Sequence, residues 1–449
     1  MGFMDLVNLV SSWVWGFWMM LIFLAVGLYL TVRTGFIQFT RLGVIFRETL
    51  GAIRERTLGA GGDISPFQAT MVALGATLGS GNIVGVTSAI LIGGPGAIFW
   101  MWMAGLVGMA TKFAEAVLAV HFRRQYADGS VSGGPMYYIS RGLGMPWLGA
   151  LFALFAAVAA FGIGNVVQVS AMSGAFQNNL GIPPAWTGLF AAALVAYALA
   201  GGVRRIASFA QVLVPLMIVL YVVVAAAALI THAAGIIPAL ASIFQGAFTP
   251  QAGIGGVMGV TAKEMIKAGV GRGIFSNEAG LGSAAIAHAQ AQVDHPVRQG
   301  FWGAMEVFID TIVINSFTAL VLLSAGSWMR GGKPFDVLLG SFSTLGPAEV
   351  LMPVILVLFV FTTLVSWAFY GEEASVFLLG EGIRWPYRLA FSVLVFVGGL
   401  GQFSSLISVS DAMNGLMAIP NLLALVLLGG VVARLTRGFF SGEPWTPPE

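Results

Sequence analysis

Residues 74–102 read LGATLGSGNIVGVTSAILIGGPGAIFWMW, and residues 268–289 read AGVGRGIFSNEAGLGSAAIAHA. Each stretch is apolar enough for a membrane and too glycine-rich at its centre to make one good helix. In the first, Gly75, Gly79, Gly81 and Gly85 crowd around Thr77, Ser80 and Asn82. In the second, Gly269, Gly271, Gly273, Gly280 and Gly282 flank Ser276, Asn277 and Glu278. A helix interrupted at membrane depth frees backbone N–H and C=O groups that lipid cannot satisfy, so the interruption must face protein or a polar ligand. Small residues also mark close helix packing. Two such clusters, each with Ser and Asn between glycines, favour a duplicated break instead.

The rest of the chain agrees with a membrane setting. Of 449 residues, 58% are hydrophobic and 9% charged, against about 25% charged in a soluble domain. The apolar runs are helix-length, about 20 residues, and predict an all-α polytopic protein with about eleven spans near 13–33, 67–92, 96–121, 148–178, 185–201, 210–231, 257–290, 301–325, 349–371, 386–403 and 412–433. The first run has no small-residue cleavage site after it and reads as a span, not a signal peptide. Arginines 33, 41, 47, 54, 56, 123, 124, 141, 204, 205, 298, 384, 388, 434 and 437 collect on one side, with Arg330 and Lys333 on the other. Positive charge stays inside, so the N-terminus is expected outside and the C-terminus in the cytoplasm of a prokaryotic plasma (inner) membrane. Lys112, Lys263, Lys267 and Arg272 fall within assigned spans.

Five spans separate the two breaks, an odd number that inverts the second unit relative to the first. The expected organisation is an N-terminal helix and cytoplasmic connection (1–66), a first five-helix repeat (67–231), an external connector (232–256), a second, inverted repeat (257–433) and a cytoplasmic tail (434–449). With no cysteine, thiolate catalysis and disulfides are excluded. A net charge of +2 gives no reason to expect nucleic acid. There is no P-loop, and His121, His232, His288 and His295 show no HExxH spacing, so an ATPase or membrane enzyme is disfavoured. A channel would need a continuous polar pore. At a break, half-helix N-termini attract a carboxylate, while freed carbonyls and side-chain oxygens hold an ammonium group or Na⁺. A zwitterionic amino acid meets both needs.

At GSGNIVGV (79–86), GGPGAIFWMWMAG (93–105), GMATKFAEAVLAVHFR (108–123), GGPMYY (133–138), FGIGNVVQ (161–168), GRGIFSNEAGLGSAAIAHA (271–289) and PVRQGFWGAMEVFIDT (296–311) the sequence resembles the alanine or glycine:cation symporter family, within the amino acid, polyamine and organocation superfamily. The resemblance runs from about residue 5 to residue 435. It implies a leucine-transporter-type 5+5 inverted repeat preceded by one extra helix, and sodium-coupled uptake of alanine, glycine or D-alanine by alternating access. No enzyme activity is expected.

Residue by residue, Thr77, Leu78, Gly79, Ser80, Gly81 and Asn82 are similar to the first unwound segment of that fold, and Phe275, Ser276 and Asn277 to the second. Gln168 would line the substrate pocket and Trp367 would close it over a small side chain. The resemblance places sodium on the carbonyls of Gly75 and Leu78 with the hydroxyls of Thr362 and Thr363. A second sodium would use Asn82, its partner on the eighth span being open between Asp310, Thr311 and Asn315. Of the acids inside spans, Glu278 is expected to support the broken helix and Glu115 to pair with Lys112 three residues earlier. The titratable Glu278 and Asp310 keep proton coupling as the alternative.

Overall fold

The computed structural model describes residues 2–53, 61–127, 129–248, 261–346, 348–401 and 403–448. Arg54 and Arg56, and the 257–260 start of the expected seventh span, lie outside the described residues. Among those described, six helices are long and apolar enough to cross a membrane, and two bent helix pairs bring the number to eight. The chain is an all-helical, multi-pass membrane protein.

The first apolar run differs from the single span expected over 13–33. It is two helices, α1 (Phe3–Val14) and α2 (Phe17–Arg33), bent by 40° where Gly16 leaves helical geometry at φ −74°, ψ 163°. The first break follows the glycine pattern. Helix α3 (Pro66–Thr77) starts at a Ser65–Gln68 capping box, which satisfies two orphan donors reciprocally. After Leu78–Ser80 the chain resumes as α4 (Gly81–Gly93), turned by 51°. Helix α5 (Gly96–His121) has 83% of its most apolar window buried, which makes it the spine of the molecule. Helices α6 (Pro146–Asn178), α7 (Pro184–Leu199) and α8 (Gly202–Thr231) follow; α8, 33% buried over its window, turns most of its surface to lipid.

The stretch expected as an external connector carries a 16-residue helix, α9 (Ala233–Phe248), packed on α5 and on the end of α11; residues 249–256 lie outside the described residues. Helix α10 (Ala262–Asn277) opens at a Thr261–Glu264 capping box. It ends at the second break, where the expected long span is replaced by turns and the four-residue helix Ala285–His288. Helices α11 (Pro296–Ala325), α12 (Leu351–Leu379), α13 (Arg384–Leu400) and α14 (Ser404–Ser441) complete the chain. Helix α14 runs past the expected end of the last span, so the first residues of the tail are helical.

Lipid is as apolar as a leucine side chain, so helices associate here through close contact rather than through flight from water. Helices α5 and α11 show how. A Cβ added at Gly105 would lie 2.7 Å from Thr311 Cγ2, and one added at Gly303 would lie 2.8 Å from the Lys112 carbonyl oxygen. Glycines at these positions bring the two backbones together and press the polar residues of α11 against the breaks.

Candidate functional site

At the first break Leu78 swings to ψ 92° and ends α3. The Gly79 amide donates to Asn82 Oδ1 at 2.9 Å, so a side chain replaces the missing helical acceptor. On α12, Thr363 Oγ1 lies 3.0 Å from the Gly75 carbonyl and 3.4 Å from that of Leu78. Three of the four residues expected at one cation site, Gly75, Leu78 and Thr363, are thus together. Thr362 packs beside Gly75, its Cβ 3.3 Å from where a Cβ on Gly75 would sit, but its hydroxyl turns back to the Leu358 and Phe359 carbonyls at 3.0 and 3.1 Å. The neighbouring hydroxyl is that of Ser366, fully buried with no hydrogen-bond partner and 2.9 Å from where a Cβ on Gly75 would sit.

A second oxygen-rich cluster joins both breaks to α11. Asn82 Nδ2 donates to Asp310 Oδ1 at 2.6 Å, Asn315 Oδ1 at 2.9 Å and Ser276 Oγ at 3.0 Å. Ser276 Oγ lies 3.0 Å from each Asp310 oxygen, and Thr311 Oγ1 donates to Asp310 Oδ2 at 2.7 Å. Asn277 Nδ2 reaches Thr311 Oγ1 at 2.9 Å. Of Asp310, Thr311 and Asn315, the first and last contact Asn82 directly and Thr311 joins through Asp310. The reason is a widened π turn at Phe308–Ile314, which holds residues five apart on one face and is a recurrent device at functional sites. Period-3.6 reading of the sequence does not reveal it.

Between the breaks lies a small, nearly closed cavity of about 20 Å³. Of the residues expected around a substrate, Thr77, Gly79, Gly81, Gln168, Phe275 and Trp367 line it. Ser80, Ser276 and Asn277 do not; the latter two side chains point into the Asp310 cluster. Ala76, Ile163, Leu281 and Asn414 also line it, as does Glu278. Gln168 Nε2 donates to the Ile163 carbonyl at 3.2 Å, while Gln168 Oε1 and Asn414 Oδ1 are buried acceptors without partners. Trp367 Nε1 donates to Glu278 Oε1 at 3.1 Å, and its ring rests on Gly164, where an added Cβ would fall 2.5 Å from Trp367 Cγ. Asn414 was missed in the sequence because nothing local marks it, and Gly164, within FGIGNVVQ, was not singled out there.

Glu278 caps α10 in the left-handed region, φ 55°, a conformation a non-glycine residue keeps only when held. Ser283 Oγ and Trp367 hold its two oxygens. The Glu115–Lys112 pairing expected along α5 is only partly realised. Lys112 Nζ is 3.5 Å from Glu306 and 4.0 Å from Glu115. Glu115 instead accepts from the Gly280 amide at 2.9 Å and Asn421 Nδ2 at 2.7 Å.

Phe275 also borders a larger cavity, about 510 Å³, walled by Ser11, Trp15, Arg272 and Asp411. Trp15 meets Phe275 edge-on at 6.2 Å, so aromatic rings partition vestibule from inner cavity. Among the described residues no group of three or more His, Asp and Glu is arranged to hold a metal. Neutral oxygens around one carboxylate suit a hard monovalent cation rather than a transition metal.

The sodium:alanine symporter family model matches residues 2–443. The chain is 42% identical over 451 residues to the sodium/alanine symporter AgcS of Methanococcus maripaludis, covering 98% of each chain. It is 34% identical over 431 residues to the probable sodium/glutamine symporter GlnT of Bacillus subtilis, covering 95% of this chain and 88% of that one. Among solved structures, MhsT in complex with L-phenylalanine superposes with a TM-score of 0.53 over 85% of this chain and 100% of that chain, at 14% identity, a likeness of fold alone. The chain therefore belongs to the sodium:alanine symporter family, and is a cation-coupled amino acid symporter rather than an enzyme.

Proposed function

We propose that the chain carries small neutral amino acids, alanine and glycine foremost, into the cell with Na⁺ by alternating access, through a leucine-transporter-type inverted repeat of about eleven spans with its N-terminus outside. The observation that carries this reading is the meeting of both breaks and α11 at one cluster of oxygens, Ser276, Asp310 and Asn315, beside a small cavity. The substrate carboxylate faces the N-terminus of α4 at Gly79 and Gly81, both on the cavity wall, where backbone N–H groups and the helix dipole favour an anion. Its ammonium group faces Gln168 Oε1 and Asn414 Oδ1, the unpartnered acceptors, with Glu278 opposite. Trp367, seated on Gly164, limits the side chain, which favours alanine over glutamine.

Coupling follows from Asn82. Its oxygen is engaged by the Gly79 amide and its nitrogen by the cluster. Turning that amide over presents Oδ1 to Na⁺ among the cluster oxygens and hands the Gly79 N–H to the substrate carboxylate. Ion and substrate then support each other's binding through one side chain. Thr363 with the Gly75 and Leu78 carbonyls offers a second sodium position, with Ser366 beside it. Phe275 separates the bound substrate from the vestibule.

Asp310 supports a second reading, proton coupling, because a carboxylate at the cation cluster offers a proton the place of Na⁺. Binding of labelled alanine to purified protein with and without Na⁺, competed by glycine, D-alanine and glutamine, tests both. Na⁺ is expected to strengthen alanine binding at least tenfold, an ordinary coupling between two sites, with glutamine the weakest competitor. Equal binding in its absence would contradict the reading.

A further inference from the structure

Lys112, Glu115, His288 and Glu306 are all fully buried and take no part in the transport scheme above. Lys112 and Glu115 come from α5, Glu306 from α11, and His288 from the short helix that follows the second break. His288 Nε2 lies 2.7 Å from Glu306 Oε2, and Lys112 Nζ lies 3.5 Å from Glu306 Oε1. On its other side His288 Nδ1 meets Gln299 Nε2 at 2.8 Å. Lys112 Nζ, Glu115 Oε2, Glu306 Oε1 and Gln299 Oε1 have no hydrogen-bond partner although buried.

One lysine against two carboxylates leaves an excess negative charge whenever His288 is neutral. Uncompensated charge is strongly disfavoured away from water. One proton balances the set, and the geometry offers a place for it. With Gln299 Nε2 donating to Nδ1, His288 is the neutral tautomer with its proton toward Glu306. Rotating the Gln299 amide brings its unpartnered Oε1 to Nδ1, which then carries a second proton and makes an imidazolium between Gln299 and Glu306. Two buried tyrosines border this set: Tyr138, whose hydroxyl donates to the Asn421 amide that also reaches Glu115, and Tyr370 of α12, near Glu306 with its hydroxyl unpartnered. Helix α3 presents no ionisable residue, and on α12 Glu372 and Glu373 are tied to Arg384. Arg123 holds the Ala289 and Ala291 carbonyls. Glu306 lies one turn before Asp310 on α11, which connects the cluster to the cation site.

We propose that His288, Glu306 and Lys112, with Gln299 as the rotating partner, form an intramembrane proton-binding site linked to the sodium site. Deprotonated, the cluster carries a net negative charge and favours Na⁺ at the Asp310 cluster; protonated, it is neutral and the attraction is lost. Bound Na⁺ and the bound proton therefore oppose each other, and Na⁺ binding releases a proton to water. The linkage rests on the sodium reading given above.

The test is binding of radiolabelled Na⁺ to the purified full-length protein between about pH 5.5 and 8.5, with an indicator dye following proton release. The half-saturating Na⁺ concentration of the wild type is expected to rise about tenfold toward the acid end, with protons released on Na⁺ addition. His288→Gln is expected to lose both responses. Gln299→Leu, which removes the acceptor that stabilises the imidazolium, is expected to keep the response but move it to lower pH. This second variant does not depend on His288→Gln folding. Wild-type Na⁺ binding that ignores pH, or an undiminished pH response in His288→Gln, would overturn the linkage alone. Absence of Na⁺ binding at every pH would overturn the sodium reading and the linkage with it.

Discussion

The two breaks look alike in sequence and are closed by opposite means. At the first, three residues interrupt the helix and neutral groups satisfy it: Asn82 takes the Gly79 amide, and the Thr363 hydroxyl approaches the Gly75 and Leu78 carbonyls. At the second, the interruption runs through a left-handed Glu278, and charged or amide side chains from distant helices hold it. Glu115 takes the Gly280 amide and Asn421 the Gly280 carbonyl. Neutral, exchangeable partners suit a break that, on the proposed reading, opens to an ion and a carboxylate on every cycle. Fixed carboxylates suit one that keeps its shape while its neighbour changes. On the proposed transport cycle, the first break would be the moving part of the site and the second its frame.

Substitutions in the two regions sort accordingly. Asp310→Asn takes the charge from the cluster that joins the breaks, and is expected to weaken Na⁺ binding by about a hundredfold, the loss of a charge-assisted contact in a dry site, read by radiolabelled Na⁺ binding. Glu115→Ala leaves Lys112 without one counter-charge and the Gly280 amide without its acceptor. Because breaking a buried pair destabilises by about 3 kcal/mol, thermal unfolding in detergent should fall clearly, while alanine affinity in the surviving protein changes little. Thr363→Val, at the first break, should do the reverse: Na⁺ half-saturation rising about tenfold, the worth of one hydrogen-bonding group to a charge, with little change in unfolding temperature.

The smallest effect belongs to His295, which ends the segment after the second break. Its Nδ1 accepts from the Val297 amide at 3.2 Å to cap α11. Burial, assisted by Arg298 and opposed by Asp294, pushes its imidazole down to about 4. The unfolded chain takes up this proton near pH 6.5 and the folded one near 4, so its contribution to stability is present above that range and is lost as pH falls through it. His295→Gln should leave transport and its pH profile unchanged between about pH 6 and 8 and remove only this acid sensitivity. A shifted transport profile would move the proton response away from His288.

Much of this difference could not be read from the chain. Glycine spacing located both breaks, and Thr77, Gly79, Gly81, Gln168, Phe275 and Trp367 meet around one cavity because each lies on a segment whose place the resemblance supplied. Glu115 and Asn421 reach Gly280 across 165 and 141 residues, and no local pattern announces such partners. Asp310 and Asn315 share a face only because α11 widens into a π turn, which hydrophobic periodicity does not register. The Trp15–Gly16 bend was hidden inside an apolar run whose composition stays uniform while its direction changes. Thr362 and Thr363 both lie near the first break, but adjacent residues on a helix point about 100° apart, so Thr362 packs on Gly75 through its Cβ while the Thr363 hydroxyl reaches the Gly75 and Leu78 carbonyls.

Uptake of labelled alanine into proteoliposomes under an imposed inward Na⁺ gradient, set against an inward proton gradient at equal Na⁺ concentration, tests the central claim most directly. The account predicts accumulation driven by the Na⁺ gradient and abolished by Asp310→Asn, whereas accumulation under the proton gradient alone, or none under either, would contradict it.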